Sequence, residues 1–233
     1  MVIAGIVAGG SGLRMGGDLP KQLMKLNGKP VFIHTVERFL ASPLIDVVII
    51  GINPQWHKDT VQLLQQYLGN RTDILTTDGG ADRNGTVLRI IEAAEKTFPI
   101  TDEDILLTHD AVRPFVTEKM IADSIQAMSV CDICTAAVPV VDTVLSTENG
   151  MTAAAFLDRE MLRLVQTPQT FRIKTFRKVY HSLDENERIT ATDVCGLYCS
   201  KGYSVYLIEG SSFNIKLTYP SDFRTAEGIL ASQ

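Results

Sequence analysis

The chain lacks the long apolar runs that membrane helices need, because no stretch approaches the roughly 18 consecutive apolar residues of a span. Its first residues, MVIAGIVAGG, lack the basic leader and the cleavage site of a secretory signal. Basic residues are also in deficit: the net charge is −5 and there is no basic run. We therefore expect a cytoplasmic protein with neither a membrane nor a nucleic acid as its partner.

Cysteine is scarce, with four residues arranged as a CxxC at Cys131 and Cys134 and a CxxxC at Cys195 and Cys199. Such pairs can hold zinc, and a CxxC can be a redox pair. The first pair falls in a strand-like apolar run, however, and the second lies one helical turn apart beside Leu197. We therefore expect all four cysteines to pack in the core, where cysteine acts as a small apolar side chain.

Short apolar runs alternate with segments of helical period along the chain. The pattern predicts strands at 2–8, 46–52, 104–109, 133–141 and 203–210, and helices at 31–42, 57–69, 84–98 and 117–128. A last helix is predicted to begin at Ser221, with that serine as its N-cap directly after Pro220. Alternation with near-continuous apolar strands predicts an α/β fold, a doubly wound and mostly parallel sheet with helices on both faces.

Residues 142–165 interrupt this alternation. They read as a protruding β-hairpin with its turn at 148–150, Glu-Asn-Gly. The chain contains no linker, repeat or low-complexity tract, so we expect a single domain over 1–233 from which residues 140–165 project as an arm.

The stretch VAGGSGLRMGGDLPK, residues 7–21, follows the first predicted strand. A glycine-rich turn at this place usually brings backbone N–H groups to an anion. The stretch is not a Walker motif, and Met15 stands where the third glycine of a dinucleotide fingerprint belongs. Arg14 and Lys21, seven residues apart, suit a polyphosphate whose charge increases during reaction, although a plain surface turn with incidental basic residues is the alternative.

Further polar residues follow other predicted strands, and in a doubly wound sheet these ends meet at the ligand site. Asp110 and Arg113 lie in HDAVRPF, and Lys216 lies in FNIKLTYPSD. One carboxylate with substrate phosphates and waters is an ordinary way to hold Mg²⁺, so Asp110 is the candidate metal ligand. A helix N-cap or an ion pair with Arg113 is the alternative for Asp110. His109 is expected to be a structural hydrogen bonder, since no nucleophile motif accompanies it.

Six ordered motifs, AGGSGLRMG…PKQ, GGADRN, HDAVRPF, VDTV, QTPQTF and NIKLTYPSD, span residues 2 to about 228. In this order they resemble the cytidylyltransferases that make CDP-alditols, which act on ribitol 5-phosphate or on 2-C-methyl-D-erythritol 4-phosphate. The resemblance implies a Rossmann-like nucleotidyltransferase fold, CTP as a substrate, Mg²⁺, and a homodimer formed through the arm.

The resemblance also implies roles for individual residues. Arg14 and Lys21 would neutralise the phosphoryl-transfer transition state, and Asp110 would hold the metal. Arg159 on the arm, reaching toward the partner subunit's cleft, would grip the alditol phosphate with Lys216, Arg113 and Thr143. The nucleotide would be bound by Val7, Ala8, Gly9, Gly10, Gly80, Ala81, Asp82, Arg83, Asn84, Gly85, Thr86 and Ala111.

Within the family, GGADRNGT, THDAVRPF and QTPQTF look closer to the ribitol branch. The methylerythritol branch is expected to have HDAARP and no asparagine after GGxxR, whereas this chain has Val112 and Asn84. The expected product is therefore CDP-ribitol for teichoic-acid-type polymers, with a methylerythritol enzyme of isoprenoid synthesis as the alternative.

Two readings from other classes stay open at this point. An NAD-linked oxidoreductase is disfavoured by the missing third glycine and by the absence of an acid after the second strand, where the ribose would bind. A nucleotide-binding regulator without turnover is disfavoured because Arg14, Lys21, Asp110 and Lys216 are all present.

Overall fold

The computed structural model describes residues 1–10 and 19–232. The strands there are β1 Val2–Ala8, β2 Lys25–Leu26, β3 Lys29–Pro30, β4 Val47–Ile52, β5 Ile74–Asp78, β6 Ile105–Asp110, β7 Ile133–Pro139, β8 Val144–Thr147, β9 Ala153–Leu157, β10 Arg163–Arg172 and β11 Tyr206–Glu209. The helices are α1 Val31–Leu40, α2 His57–Leu68, α3 Arg83–Thr97, α4 Glu118–Ala127, α5 Ile173–Ser182, α6 Glu185–Thr190, α7 Val194–Ser200 and α8 Pro220–Ala231.

Among these residues the main sheet has seven strands in the order β11-β7-β10-β6-β1-β4-β5. β1 pairs in parallel with β4 on one side and with β6 on the other, and β10 pairs antiparallel with both β6 and β7. The chain runs outward from β1 to β5 and then returns to β6. The carboxyl ends of β1 and β6 therefore form a topological switch point, where α/β sheets bind their ligands.

Helices cover both faces of the sheet, as the sequence pattern predicts. Successive residues of the central strands point into opposite layers: Ile50 packs with α1, α2 and α4, whereas Ile49 packs with α3, α5 and α7. Both layers are apolar, which explains why the strands read as unbroken apolar runs. A third cluster packs α8 against Leu26 and Phe115 beside the first layer.

Most of the predicted elements are confirmed to within a few residues. Two strands of the main sheet lack a prediction, as do the short strands β2 and β3 and the helices α5 and α6. β5 is a half-buried edge strand that reads ILTTD, and β10 is largely polar and contains Pro168. The predicted cap at Ser221 is wrong, because α8 begins at Pro220, a residue whose fixed φ suits the first helical position. Asp222 accepts the N–H groups of Thr218 and Tyr219 at 2.6 and 2.8 Å at this end of the helix.

The cysteines follow the prediction with one exception. All four are free thiols; Cys134 and Cys195 are buried, and burial raises the pKa of the Cys134 thiol to about 12. Cys199 is exposed, because it lies at the solvent side of the last turn of α7. Within the part of the chain that the structure describes, no three His, Cys, Asp or Glu side chains come together as a metal site.

The predicted arm is a two-stranded hairpin, β8 and β9, with Gly150 at positive φ in its turn. It is shorter than expected, since 163–165 belong to β10 and pair with β7. None of the helices in residues 1–10 and 19–232 combines the length and apolar character needed to cross a bilayer.

Candidate active site

A cavity of about 650 Å³ lies at the switch point, beyond the carboxyl ends of β1 and β6. The loop after β1, the turn before α3 and the residues after β6 form its walls. Its lining consists of Val7, Ala8, Gly9, Gly10, Lys21, Gln22, Asn53, Pro54, Gly80, Ala81, Asp82, Arg83, Thr86, Asp110, Ala111, Val112 and Lys216.

Two glycines allow the loops around this cavity to approach each other closely. A Cβ on Gly9 would lie 2.7 Å from Thr86 Oγ1, and a Cβ on Gly80 would lie 2.4 Å from the carbonyl carbon of Gly85. The Gly80 N–H donates to Thr86 Oγ1 at 3.1 Å, which fixes the turn before α3. At Gly10 an added Cβ would meet no atom of the described residues within 4 Å. The glycines therefore serve both close packing and access to a ligand.

Two amide side chains hold the carbonyl groups of the β1 loop. Gln22 donates from Nε2 to the oxygens of Ala8 and Gly10 at 3.0 and 3.1 Å, and Asn53 donates to the oxygen of Gly9 at 3.2 Å. With its carbonyls occupied, the loop can turn its N–H groups toward an anion. Sequence analysis did not single out either residue, although Gln22 belongs to the PKQ motif.

A second, smaller cavity of about 220 Å³ adjoins the first. Residues of β10 and of the loop before α7 make up six of the ten residues that line it. Its lining consists of Arg83, Asp110, Arg113, Val165, Gln166, Thr167, Gln169, Thr192, Asp193 and Lys216. Arg83, Asp110 and Lys216 line both cavities and so form the wall between them.

Asp110 lies at the centre of this wall, buried, and three cations contact its carboxylate. Lys216 Nζ lies 2.8 Å from Oδ2, Arg83 Nε lies 3.2 Å from Oδ1, and Arg113 Nε lies 3.5 Å from Oδ2. Burial alone would raise the pKa of Asp110, but the charges of Arg83, Lys216 and Arg113 hold it far below its usual range. Asp110 is therefore ionised, and one negative charge among three positive ones leaves an excess of positive charge for an anionic ligand.

His109 supports this arrangement from the core. Its Nε2 lies 3.0 Å from the carbonyl oxygen of Arg113, which can only accept, so Nε2 carries the proton. Nδ1 then accepts from the hydroxyl of Thr167 at 3.0 Å, and Thr167 accepts the N–H of Asp110 at 3.2 Å. Burial lowers the pKa of His109 to about 4, so the ring is neutral at neutral pH. The expectation of a structural histidine is confirmed.

The beginning of α3 connects to the loop before α7 through side chains. Arg83 Nη1 donates to Gln169 Oε1 at 3.1 Å, and Gln169 Nε2 donates to Asp193 Oδ2 at 2.7 Å. Asn84, which is buried, donates to the carbonyl oxygen of Ala191 at 2.8 Å. These contacts fix the wall of the smaller cavity that contains Thr192.

The structure brings most of the predicted residues together, but not all. Lys21, Asp110 and Lys216 line the larger cavity with the predicted glycine loops, and Arg113 lines the smaller one.

Other predicted residues lie elsewhere. Asn84 and Gly85 do not line either cavity and act instead in packing the start of α3. Thr143 and Arg159 are exposed on the arm, where Arg159 donates to the carbonyl oxygen of Val141 at 2.9 Å, and neither lines a cavity of this chain. Arg14 lies outside the described residues.

Among the described residues, two acidic side chains line the larger cavity and are candidates for binding a divalent cation. Asp82 caps α3, accepting the N–H of Gly85 at 2.7 Å, whereas Asp110 is an ionised carboxylate at the wall between the cavities. One such carboxylate, completed by phosphate oxygens and waters, is a donor set that Mg²⁺ accepts. Among the described residues, Asp110 therefore suits an ion that arrives with a polyphosphate.

Comparison with known proteins identifies the family. The family model IspD, 2-C-methyl-D-erythritol 4-phosphate cytidylyltransferase, matches residues 2–232. The chain belongs to this cytidylyltransferase family.

Individual relatives of this cytidylyltransferase fall into two groups. The chain is 40% identical over 232 residues to the ribitol-5-phosphate cytidylyltransferases of Streptococcus pneumoniae strain ATCC 700669 / Spain 23F-1 and serotype 19F strain G54, with 99% of each chain covered. Among solved structures, a 4-diphosphocytidyl-2C-methyl-D-erythritol synthase superposes with a TM-score of 0.82 at 25% identity, covering 98% of both chains. The 2-C-methyl-D-erythritol 4-phosphate cytidylyltransferase of Francisella tularensis gives a TM-score of 0.81 at 25% identity, covering 98% of this chain and 99% of that one.

These comparisons confirm the Rossmann-like α/β fold and the enzyme class. The cytidylyltransferase is a nucleotidyltransferase that uses CTP, so the cavity at the switch point is its candidate nucleotide site. An oxidoreductase and a regulator without turnover are no longer needed to explain the glycine-rich loop.

The ion pairs at Asp110 allow a test of the site's electrostatics. Replacing Asp110 with Asn should lower the free energy of unfolding by about 3 kcal/mol, because three cations lose their counter-charge. Inorganic phosphate should stabilise this variant more than it stabilises the unmodified enzyme, since an anion can replace the carboxylate. Urea unfolding with and without phosphate measures both effects.

The control is Asp78→Asn, which removes an exposed carboxylate paired with His57 at 2.5 Å. Its expected effect is below about 1 kcal/mol, as for most surface ion pairs. Equal losses in the two variants, or no extra gain from phosphate in Asp110→Asn, would contradict the role given to Asp110.

Proposed function

We propose that this enzyme transfers the CMP moiety of CTP to D-ribitol 5-phosphate, giving CDP-ribitol and pyrophosphate for teichoic-acid-type polymer biosynthesis. The observation that carries the proposal is the wall shared by the two cavities. Arg83, Asp110 and Lys216 face both spaces, so two anionic substrates bound on either side would meet at a positively charged junction.

The larger cavity is the site for CTP. Its glycine loops suit the nucleotide and its phosphates, and Lys21 lies in its wall with Lys216. The smaller cavity is the site for the alditol phosphate, with Arg113 and Lys216 available for its phosphate and the polar side chains of β10 for its hydroxyl groups. Holding two mutually repelling anions in reactive positions is the main task of such a site.

The reaction needs no general base. The second pKa of a sugar phosphate is about 6, so at neutral pH the acceptor is already an anionic nucleophile. One of its oxygens forms a bond to the α-phosphorus of CTP as the bond to the β-phosphate oxygen breaks and pyrophosphate leaves in line. Lys21, and Arg14 of the same loop, would neutralise the charge that increases on the α-phosphoryl oxygens.

We also propose that Mg²⁺ enters the site bound to CTP. Asp110 would be its protein ligand, and the ion would neutralise the charge of the departing pyrophosphate. Lys21 and Lys216 supply fixed positive charge at the same place in any case.

Ribitol 5-phosphate is preferred over methylerythritol phosphate because the relatives named for it share 40% of their residues with this chain over its full length. The solved methylerythritol enzymes share 25%. Asn84, one of the two sequence cues for the ribitol branch, holds the loop that carries Thr192 into the smaller cavity. An isoprenoid enzyme acting on methylerythritol phosphate is the alternative.

The arm supports the proposal of a homodimer. Its exposed apolar side chains include Met151 at 87% and Phe156 at 72% exposure, with Val141, Leu145, Leu157 and Met161 also exposed. Leu164 and Val165, at the start of β10, are exposed as well. A cluster of this kind is typical of an interface. In such a dimer Arg159 and Thr143 would act at the partner subunit's acceptor site, which accounts for their absence from the cavities of their own chain. We place the enzyme in the cytoplasm, where CTP is available.

The first experiment measures pyrophosphate release from Mg·CTP with D-ribitol 5-phosphate and 2-C-methyl-D-erythritol 4-phosphate in parallel. We expect kcat/KM for ribitol 5-phosphate to be at least tenfold higher. A preference for methylerythritol phosphate would replace the acceptor and leave the mechanism intact, whereas no release with either compound would refute the alditol assignment.

Lys21 is expected to act in the transition state. Lys21→Ala should lower kcat by about 100-fold or more, whereas the Kd for CTP measured by calorimetry should rise less than fivefold. Lys25→Ala is the control, because Lys25 lies on β2 and does not line either cavity. Equal losses in kcat and in CTP affinity would make Lys21 a binding residue only.

The arm is tested by sedimentation equilibrium. The unmodified protein should be a dimer at micromolar concentration, and Phe156→Glu should convert it to a monomer because a charge replaces an exposed aromatic side chain of the apolar cluster. Val130→Glu changes an equally exposed apolar residue that follows α4, away from the arm, and should leave the dimer intact. A monomeric unmodified protein, or dissociation by both changes, would reject the arm as the interface.

A further inference from the structure

Lys216 lies on a segment, residues 210–219, that has neither helix nor strand pairing over most of its length. No ladder of backbone hydrogen bonds therefore fixes the position of its ammonium group, although that group must lie at the wall between two cavities. Its position has to come from contacts with other parts of the chain.

Backbone hydrogen bonds hold the two ends of this segment, from the Gly210 N–H to the Ala137 oxygen at 2.9 Å and from the Leu217 N–H to the Val112 oxygen at 3.0 Å. Between them the segment is held by the side chain of Gln166. Its amide pairs with both backbone groups of Ser211: Nε2 donates to the Ser211 oxygen at 2.9 Å, and the Ser211 N–H donates to Oε1 at 3.2 Å. The side chain is 7% exposed, and a Cβ on Gly210 would lie 2.7 Å from its Oε1. Gln166 is thus enclosed by the segment that it binds.

Asn214 extends this contact toward the cations. It is fully buried, and its Nδ2 donates to the Thr167 oxygen at 2.8 Å and to Gln166 Oε1 at 3.3 Å. The backbone carbonyl oxygen of Asn214 accepts from Arg113 Nη1 at 2.7 Å. The same short segment therefore holds Arg113 by its backbone and places Lys216 two residues further on.

The way β10 is built explains why Gln166 can reach this segment. The pairing of β10 with β7 shifts register between Val165 and Gln169, and a bulge of this kind redirects side chains. Gln166 and Thr167 lie within the shift, and both line the smaller cavity.

We infer that Gln166 is a positioning residue that, together with Asn214, sets Lys216 and Arg113 for the acceptor phosphate. This inference rests on the proposed function, since it assigns the smaller cavity to the acceptor. Lys216 also lines the nucleotide cavity, but the β1 loop on that side is held by Gln22 and Asn53 and Lys21 lies in the same wall, so we expect most contacts to CTP to survive when Lys216 is displaced.

The test variant is Gln166→Met, which keeps the length of the side chain and removes its hydrogen bonds. We expect the KM for the alditol phosphate to rise about tenfold and the KM for CTP to change less than twofold. Thr170→Val is the matched control, because Thr170 is buried on the same strand and lines neither cavity. This control should behave like the unmodified enzyme in both KM values.

A second readout does not depend on turnover. Trace acetylation followed by mass spectrometry of the peptides gives the relative reactivity of each lysine in the intact protein. In Gln166→Met the acetylation rate of Lys216 should increase at least threefold, because its ammonium group is no longer held against Asp110. Lys174, which pairs with Asp102 at 3.2 Å on the surface, should react at an unchanged rate.

The outcomes separate the two proposals. If the unmodified enzyme is inactive with both acceptors, the proposed function is refuted. Faster acetylation of Lys216 in Gln166→Met would in that case still support the positioning role. Unchanged acetylation and an unchanged acceptor KM in an active enzyme would refute the positioning role alone. Equal increases in both KM values, or the same changes in Thr170→Val, would also overturn it.

Discussion

The ion pairs of Asp110 are the interaction on which the rest of the site depends. They join α3, the loop after β6 and the segment 210–219, three separate parts of the chain. Without the carboxylate, Arg83, Arg113 and Lys216 would repel one another in a buried place. With it they can be assembled before substrate binds, and the remaining excess of positive charge is directed at the cavities. Preorganised charge of this kind is effective because little reorganisation is required during the reaction.

Neutral hydrogen bonds hold this charged centre in place. His109 and Thr167 connect the end of β6 to β10, and Gln169 connects Arg83 to the loop before α7. The residues concerned are buried and polar, and such groups are stable in a core only when they are hydrogen-bonded. The rigidity of the site therefore derives from amides, hydroxyls and an imidazole that carry no charge themselves.

Sequence patterns predicted the part of the fold that depends on local periodicity. β1, β4 and β6 are apolar on both faces and are readily recognised. Gly9 and Gly10 follow β1 and Arg113 follows β6, whereas the second glycine turn, GGADRN, follows β5, for which no strand was predicted. β10 was missed, because the side chains of Gln166, Thr167 and Gln169 bind partners 24 to 86 residues away, which no local pattern encodes. For the same reason no role was predicted for Gln166, Thr192 or Asn214, although Gln166 and Asn214 lie within the QTPQTF and NIKLTYPSD motifs. Cys199 was misassigned because a helical spacing of one turn does not establish which side of a short helix faces the core.

The antiparallel course of β10 has a consequence for how acceptor choice can vary. Apart from Lys216, the lining of the larger cavity comes from the first 112 residues, whereas residues 165–193 supply most of the lining of the smaller one. In the proposed assignment, the nucleotide side is therefore built mainly from the first half of the chain, whereas the acceptor side combines Arg83, Asp110 and Arg113 of the first half with residues of the second half. Changes in the second half can reshape the pocket for a sugar alcohol while the nucleotide loops stay as they are, which suits a family whose members keep CTP and differ in the alcohol that they activate.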